Sequence, residues 1–274
     1  MAFEYLYYRT TRDLTNLSMV KRRGYDGYIV SMNQSGTHWL IHMLGLALAE
    51  RYGLPVSDRL NVNTLVGMPR VATDLSEIPR ITHSHQIPNP ILRYRWVLDL
   101  LRMPDYVLLL RDPRVVMASH YKRFAHEYRI SFSDYLRARR DVLLKAGGRT
   151  KFDKSLWWNL RFQNGWHALR RARPDSVLVC RYEALRSDTL GELRRIVDFI
   201  GLQGVDDALL VRAIERSTKQ DMARKEDPSR TNRIVHADSD YPLALYSDAD
   251  KAYFLKMFRR HCKADFGYDL EAGW

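Results

Sequence analysis

Three short apolar runs divide the chain, and each is followed by a polar turn and then by a helical pattern. The runs cover Gly27 to Ser31, Tyr106 to Leu110 and Ser176 to Cys180. Apolar runs of this length, bounded by polar turns, are typical of strands buried on both faces of a sheet. The pattern therefore predicts three buried strands, each leading into a helix.

The segments after these strands carry helix signals. An apolar-rich stretch from Trp39 to Arg51 ends near Gly53, and Pro113 suits the first turn of a helix that continues toward Phe124. In the third helix, Ser187 or Asp188 is the expected N-cap and Gly201 the expected end. One face of that helix is formed by Leu190, Leu193, Ile196, Val197 and Ile200.

Strands that alternate with helices predict a three-layer α/β/α fold with a central, mostly parallel sheet, and we expect a single domain over residues 1–274. Ligands of such sheets bind at the carboxyl ends of the strands, which directs attention to four loops. These loops are 31–38, 82–86, 111–113 and 181–183. Two polar stretches, 146–154 and 224–240, are either surface connections or lids, and the second is the candidate lid over a ligand.

Composition narrows the choice of partners. The net charge of +12 favours a polyanionic ligand, but the Lys and Arg residues are spread along the chain, which fits solvated helix faces better than a nucleic-acid groove. No apolar run reaches the roughly 20 residues of a membrane span, and the first residues lack the order of a secretion signal. Cys180 and Cys262 form neither a disulfide framework nor a zinc pattern. We therefore expect a cytoplasmic location and no stable membrane insertion.

Two loops carry residues suited to phosphate. The sequence from Asn33 to Trp39, NQSGTHW, joins a strand to a helix, where backbone amides and the positive helix end can hold a phosphate. The spacing of the nucleoside triphosphatase P-loop is absent. In the second loop, Arg111 ends a strand and Ser119 lies about two turns into the next helix, so that both could grip one phosphate.

In these motifs the chain resembles the sulfotransferases that depend on 3′-phosphoadenosine 5′-phosphosulfate (PAPS), whose cytosolic members share a P-loop-kinase-like α/β fold. Gln34 to Trp39 occupies the place of the family signature K-S-G-T-T-W. The resemblance implies that Ser35, Gly36, Thr37 and His38 bind the 5′-phosphosulfate side of the donor and that Trp39 stacks on adenine. Arg111 to Ser119 resembles R-N-P-x-D-x-x-x-S, which implies that Arg111 and Ser119 hold the 3′-phosphate. The product would be 3′,5′-adenosine bisphosphate (PAP).

Further matches follow in family order. Pro79 to His85 resembles P-R-x-x-K-T-H, whose last histidine is the catalytic base, so the resemblance assigns that role to His85. The strand that ends at Tyr182 and Glu183 implies that Tyr182 contacts the adenine region, and Ser217 or Thr218 matches a later donor contact. Two positions depart from the pattern. Gln34 replaces the family's lysine, and the late glycine-rich region is missing, with Arg233 as its stand-in.

The chemistry required for sulfuryl transfer agrees with this assignment. A base must remove the proton of the acceptor during in-line attack, and a histidine that is neutral at cytoplasmic pH can do so. The resemblance thus implies transfer to a hydroxyl or amine of a small-molecule acceptor, without a metal. His83 and His85 could also share a face and hold a metal, but no third ligand is evident nearby.

Three other functions stay open at this point. A related kinase could use Asp112 as a magnesium ligand, a catalytically impaired PAP-binding or PAPS-binding protein would fit Gln34, and a basic surface could bind nucleic acid. A homodimer is possible. Acceptor choice is expected to depend on regions 86–104 and 124–154, where Arg95, Arg123 and His126 favour a polar or acidic acceptor.

Overall fold

The computed structural model describes residues 2–55, 65–67, 77–138, 155–226, 242–264 and 266–274. It contains four strands, β1 Gly27–Ser31, β2 Ile81–Ser84, β3 Asp105–Leu110 and β4 Val177–Arg181. The first half of the chain contributes α1 Ala2–Tyr8, α2 Thr37–Arg51, α3 Arg95–Leu100, α4 Pro113–Tyr128 and α5 Phe132–Arg137. The second half contributes α6 Leu156–Ala172, α7 Tyr182–Ser187, α8 Thr189–Ile200, α9 Asp207–Glu215, α10 Lys219–Arg224 and α11 Asp248–His261. Among these helices none combines the length and apolar character needed to cross a bilayer.

The four strands form one parallel sheet in the order β2-β1-β3-β4. Because β2 lies on one side of β1 while β3 and β4 lie on the other, the direction of chain progress reverses between β1 and β3. The carboxyl ends of those two strands therefore border the crevice in which parallel α/β sheets bind ligands.

Alternate residues of the strands enter two different hydrophobic clusters. Ile29, Val107 and Leu109 pack with α2, α8 and α9 on one face of the sheet. Tyr28, Tyr106 and other residues of opposite parity pack with α6 and α3 on the other face. This alternation is the physical basis of the predicted three-layer α/β/α fold, and the prediction is confirmed.

The predicted elements correspond closely to the observed ones. The first predicted strand has the observed limits, the third is shifted by one residue, and the helix beginning at Pro113 is present. Asp188, rather than Ser187, caps α8 by accepting a hydrogen bond from the Gly191 amide, and Gly201 ends that helix in the left-handed conformation. Strand β2 was not predicted as a strand, because its sequence ITHS is polar and short.

Several predicted features lie outside the described residues. They are the 146–154 stretch, residues 227–240 of the candidate lid, Arg233 and the side chain of His126. Their assignments therefore stay predictions.

Asp250 anchors α11 to α5 and gives the fold a measurable acid sensitivity. Its fully buried carboxylate accepts hydrogen bonds from Arg137, Ser133 and Ser247. Burial raises the pKa of this carboxyl, but the hydrogen bonds outweigh burial and lower the pKa to about 2. An ordinary Asp titrates near a pKa of about 3.9, so folding favours the ionised form. This stabilisation is present above about pH 4 and is lost as the pH falls through about 2.

Asp250→Asn is consequently expected to lower the free energy of unfolding at pH 7, and the difference from wild type should narrow as the pH falls from 4 toward 2. Urea unfolding at a series of pH values measures this. Asp248→Asn is the matched control, because the Asp248 side chain on the same helix is 99% exposed. A difference that stays constant with pH would contradict the assignment.

Candidate functional site

The β1–α2 loop has the backbone of a phosphate-binding turn. Gln34 and Gly36 adopt left-handed φ angles of 62° and 82°, and α2 begins immediately afterward at Thr37. Gly36 is the N-cap and has no side chain with which to cap the first amides of the 15-residue helix. The loop thus directs the positive end of α2 toward the crevice between β1 and β3.

Gly36 is also required by its neighbour Tyr182, the first residue of α7. A Cβ atom at position 36 would lie 2.5 Å and 2.6 Å from two ring carbons of Tyr182. The Tyr182 ring therefore packs directly against the loop backbone. Any larger residue at position 36 would both strain the backbone and displace the ring.

Arg111 joins the ends of β1 and β3. Its Nη1 donates a 2.9 Å hydrogen bond to the backbone carbonyl of Gln34, and its guanidinium carbon lies 4.4 Å from the centre of the Tyr182 ring. One cation therefore supports the turn and stacks on the aromatic ring behind it. The crevice predicted from strand order is the place where these three residues meet.

Trp39 extends this group toward α10. Its ring meets the Tyr182 ring edge-on, with 6.2 Å between centroids, and its Nε1 donates a 3.1 Å hydrogen bond to the carbonyl of Ser217. The Ser217 hydroxyl donates instead to the Ala213 carbonyl within the preceding helix. The structure thus brings Ser217 to the predicted place through its backbone, while Thr218 caps α10 by accepting a hydrogen bond from the Asp221 amide.

Two basic residues, Lys225 and Arg216, lie near His42 on the α2 side of this group. His42, one turn beyond His38, is buried, and burial together with the charges of Lys225 and Arg216 lowers its pKa to about 4. His42 is therefore neutral at neutral pH, whereas Lys225 and Arg216 provide a positive field that suits a phosphorylated ligand.

His85 follows β2 and is held by the end of β1. Its Nδ1 lies 2.9 Å from the backbone carbonyl of Ser31 and 3.1 Å from the Ser31 hydroxyl oxygen. Because a carbonyl oxygen only accepts, Nδ1 carries the proton in the 2.9 Å hydrogen bond, and Nε2 is then the basic nitrogen. The Ser31 hydroxyl in turn lies 2.6 Å from the Thr37 hydroxyl, so His85 is linked to the first residue of α2.

The remaining predicted residues lie on the β1–α2 loop and within the first two turns of α2 and α4. Ser35 is fully buried, and its hydroxyl has no hydrogen-bond partner within the described part of the chain. His38 is half-buried in the first turn of α2, and Ser119 is half-buried in the second turn of α4. The unpartnered hydroxyl of Ser35 could donate a hydrogen bond to a phosphate oxygen, and the glycine-containing turn could bind the same phosphate through its backbone amides.

Asp112, the residue that could have bound magnesium, is engaged elsewhere. Its carboxylate forms an ion pair with the buried Arg114, with both oxygens within 3.1 Å of guanidinium nitrogens. Arg114 also donates to the carbonyls of Asp269, Leu270 and Ala272, so this pair fixes the segment 266–274. No group of three or more metal-ligating side chains is found in the described ranges.

Some residues of this region had no signal in the sequence. Ser31, which orients His85, is the last residue of a predicted strand, and nothing in the sequence marks it as a site residue. Glu183 accepts hydrogen bonds from the Asp112 amide and from Tyr268, which lies 85 positions away in sequence. His83 is half-buried, its buried Nδ1 has no hydrogen-bond partner in the described structure, and burial together with the charge of Arg22 lowers its pKa.

The parallel sheet, its switch point and the glycine-containing turn define a P-loop-like α/β protein. A family model described as "Sulfotransferase domain" matches residues 25–240, which is more than half of the chain. The chain belongs to the sulfotransferase domain family, and the family resemblance found in the sequence is confirmed.

Individual relatives agree with the family match. The chain is 26% identical over 191 residues to "Cytosolic sulfotransferase 17" of Arabidopsis thaliana, a match that covers 66% of this chain and 53% of that protein. It is 27% identical over 182 residues to "Sulfotransferase 2A2" of Rattus norvegicus, covering 64% of this chain and 59% of that protein. The matched segments thus span little more than half the length of these relatives.

Two solved structures show the same fold. One is mouse sulfotransferase SULT7A1 complexed with PAP, with a TM-score of 0.53 and 17% identity over 93% of this chain and 90% of that chain. The other is retinol dehydratase in complex with androsterone and inactive cofactor PAP, with a TM-score of 0.58 and 15% identity over 97% and 88% of the two chains.

Proposed function

We propose that this protein is a cytoplasmic enzyme that transfers a sulfuryl group from PAPS to a hydroxyl or amine of a small-molecule acceptor. The observation that carries the proposal is the convergence of Arg111, Gly36, Tyr182 and Trp39 at the switch point of the sheet, beside the oriented His85. These five residues come from four separate segments of the sequence. Their meeting at one place supports one shared ligand.

The donor is proposed to bind along the start of α2. The amides and side chains of residues 35–38 would receive the 5′-phosphosulfate side, with the unpartnered Ser35 hydroxyl as a hydrogen-bond donor. Arg111 and Ser119 would hold the 3′-phosphate, and Trp39 and Tyr182 would contact adenine, with Ser217 at the far end. Arg233 is proposed as a further cation for the 3′-phosphate.

His85 is proposed as the general base. The acceptor oxygen or nitrogen attacks sulfur, its proton passes to Nε2 of His85, and the bond from sulfur to the bridging oxygen breaks. The electron pair of the broken bond stays on the bridging oxygen, which leaves as a phosphate oxygen of PAP with one more negative charge. The hydrogen bond from Nδ1 to the Ser31 carbonyl fixes the tautomer and stabilises the imidazolium that forms.

The side chain of Gln34 is neutral and supplies no charge to the departing phosphate, whereas the lysine of the family signature would supply one. Gln34→Lys is therefore expected to raise kcat by about tenfold or more, because one charge-assisted contact in the transition state contributes about 1.5–3 kcal/mol. The measurement is the steady-state rate of PAP formation from PAPS with a fixed acceptor. Gln34→Arg tests whether a second cation gives the same gain, and Gln34→Glu should be slower than wild type. An unchanged or lower rate in Gln34→Lys would show that another group neutralises the leaving phosphate.

The related kinase reaction is not favoured, because the carboxylate of Asp112 is already bound by Arg114. The proposed reaction is tested by incubating the protein with PAPS and, separately, with a phenol, an aliphatic alcohol, a sugar and an amine, and by detecting the sulfated products by mass spectrometry. Acceptor-dependent release of PAP supports the proposal. PAP binding without transfer to any acceptor, even in Gln34→Lys, would assign the chain to the non-catalytic donor-binding class.

A further inference from the structure

The exposed large apolar residues of this protein are concentrated in two segments. Eight of the nine such residues in the described part of the chain lie within residues 6–17 and 91–100. The first segment contributes Leu6, Tyr7, Leu14 and Leu17, and the second contributes Ile91, Tyr94, Trp96 and Leu100. The ninth is Val211, on α9. Isolated exposed apolar side chains need no explanation, but a concentration of this kind marks an interaction surface.

The two segments lie side by side. The buried Asn89 side chain donates hydrogen bonds of 2.7 Å to the Leu14 carbonyl and 3.3 Å to the Asn16 carbonyl. Farther along, the Gly24 amide donates a 2.8 Å hydrogen bond to the Arg102 carbonyl. These hydrogen bonds join residues 14–24 to residues 89–102, and we call the exposed apolar side chains of these two stretches, Leu14, Leu17, Ile91, Tyr94, Trp96 and Leu100, the apolar face.

Helix α3 shows how this surface is built. Val97 and Leu98 point inward and are buried, whereas Trp96 and Leu100, four residues apart, are 63% and 73% exposed. Residues at this spacing lie on the same side of a helix. The tryptophan and the leucine are therefore presented together to the outside, although the helix has inward positions for apolar side chains.

The two parts of the chain that carry the apolar face have an excess of basic residues. Residues 5–26 and 86–104 together contain eight Lys and Arg residues and three acidic residues. One of the three, Asp13, forms a buried ion pair with Arg161, and another, Asp99, lies 3.5 Å from Arg95 on α3. The basic residues are Arg9, Arg12, Lys21, Arg22, Arg23, Arg93, Arg95 and Arg102. A second copy of the chain would place these charges against themselves, whereas an anionic surface would neutralise them.

We propose that the apolar face docks this protein onto the surface of anionic phospholipid bilayers. Tryptophan, tyrosine and leucine side chains that project among lysines and arginines are the composition that suits the boundary between headgroups and acyl chains. The apolar side chains enter that boundary, and the surrounding cations contact the phosphates and carboxylates of the headgroups. The inference uses none of the donor-site residues, although the face includes part of the 86–104 region on which acceptor choice is expected to depend.

The test is sedimentation of the full chain with vesicles of phosphatidylcholine alone and of phosphatidylcholine with phosphatidylserine. Binding is expected only with phosphatidylserine, and it should weaken as salt is raised. The double variant Trp96→Glu, Leu100→Glu should lose binding by about a hundredfold, since it replaces two inserted side chains by charges that the surface repels. Lys21→Gln and Arg23→Gln should each weaken binding by about fivefold.

Val211→Glu is the matched control, because it places the same charge on an exposed apolar position away from the apolar face. It should bind vesicles like the wild type, and circular dichroism confirms that every variant is folded. The proposal is overturned if the protein fails to bind phosphatidylserine vesicles, or if Val211→Glu loses binding as strongly as the double variant. It is also overturned if analytical ultracentrifugation reveals a dimer that the double variant converts to monomer, since a second copy would then cover the face.

Discussion

His85→Gln is expected to lower kcat for sulfuryl transfer by a factor of about 10² to 10⁴, the usual contribution of a positioned general base. Glutamine can still donate a hydrogen bond to the Ser31 carbonyl, so the local structure should survive, but it cannot take up the acceptor's proton. The affinity for PAP should be unchanged, because His85 acts on the acceptor. Steady-state kinetics and calorimetric titration with PAP measure the two quantities separately.

His83→Gln is the control for this experiment. His83 lies two residues away and has no hydrogen-bond partner for its Nδ1 in the described structure, so its replacement should leave kcat within a few fold of wild type. Ser31→Ala keeps the carbonyl that orients His85 and removes only the hydroxyl at 3.1 Å, so a smaller loss than in His85→Gln is expected. Equal losses of kcat in His85→Gln and His83→Gln would show that both histidines have a structural role and that His85 is not the base.

Arg111→Ala is expected to weaken PAP binding by about ten- to a hundredfold, since a charge-assisted contact with a phosphate is worth about 1.5–3 kcal/mol. The same substitution removes the hydrogen bond to the Gln34 carbonyl and the guanidinium that stacks on Tyr182, so the turn itself loses support. Arg111→Lys retains the charge but not the planar fork, and it should fall between wild type and alanine. Calorimetric titration with PAP measures all three proteins.

Arg181→Ala provides the comparison. Arg181 pairs with Leu110 in the neighbouring strand, but its guanidinium donates to the Gly267 carbonyl and does not reach the turn. The Arg181→Ala variant should bind PAP like the wild type. If Arg181→Ala and Arg111→Ala lost affinity equally, the effect would reflect overall positive charge at this edge of the sheet, and the 3′-phosphate contact assigned to Arg111 would be wrong.

The fold could be predicted from the sequence to the extent that it depends on local patterns. The runs at Gly27–Ser31 and Tyr106–Leu110 are buried on both faces. Such strands are apolar throughout, so they can be predicted from their own sequence without knowledge of the neighbouring strands. The cap of α8 at Asp188 and its end at Gly201 are likewise local. Strand β2 escaped prediction because only two of its four residues are fully buried, and its pairing with β1 is set by the sheet.

The site could be predicted as a set of residues but not as an arrangement. The motifs pointed to Arg111, Gly36, Tyr182 and His85, and all four lie at the carboxyl ends of the strands. The role of the Ser31 carbonyl in fixing the tautomer of His85 is a backbone contact over 54 positions and leaves no trace in the identity of the side chains. The hydrogen bonds from Arg114 to the 266–274 segment could not be foreseen either, because they depend on where that segment returns to the sheet.

The central claim is that the crevice between β1 and β3 binds a 3′-phosphorylated adenine nucleotide. It is tested most directly by calorimetric titration of the purified protein with PAP and, in parallel, with ADP plus magnesium. The account predicts one PAP site per chain, with clearly weaker binding of ADP that magnesium does not improve. Absence of PAP binding, or a preference for ADP with magnesium, would contradict it.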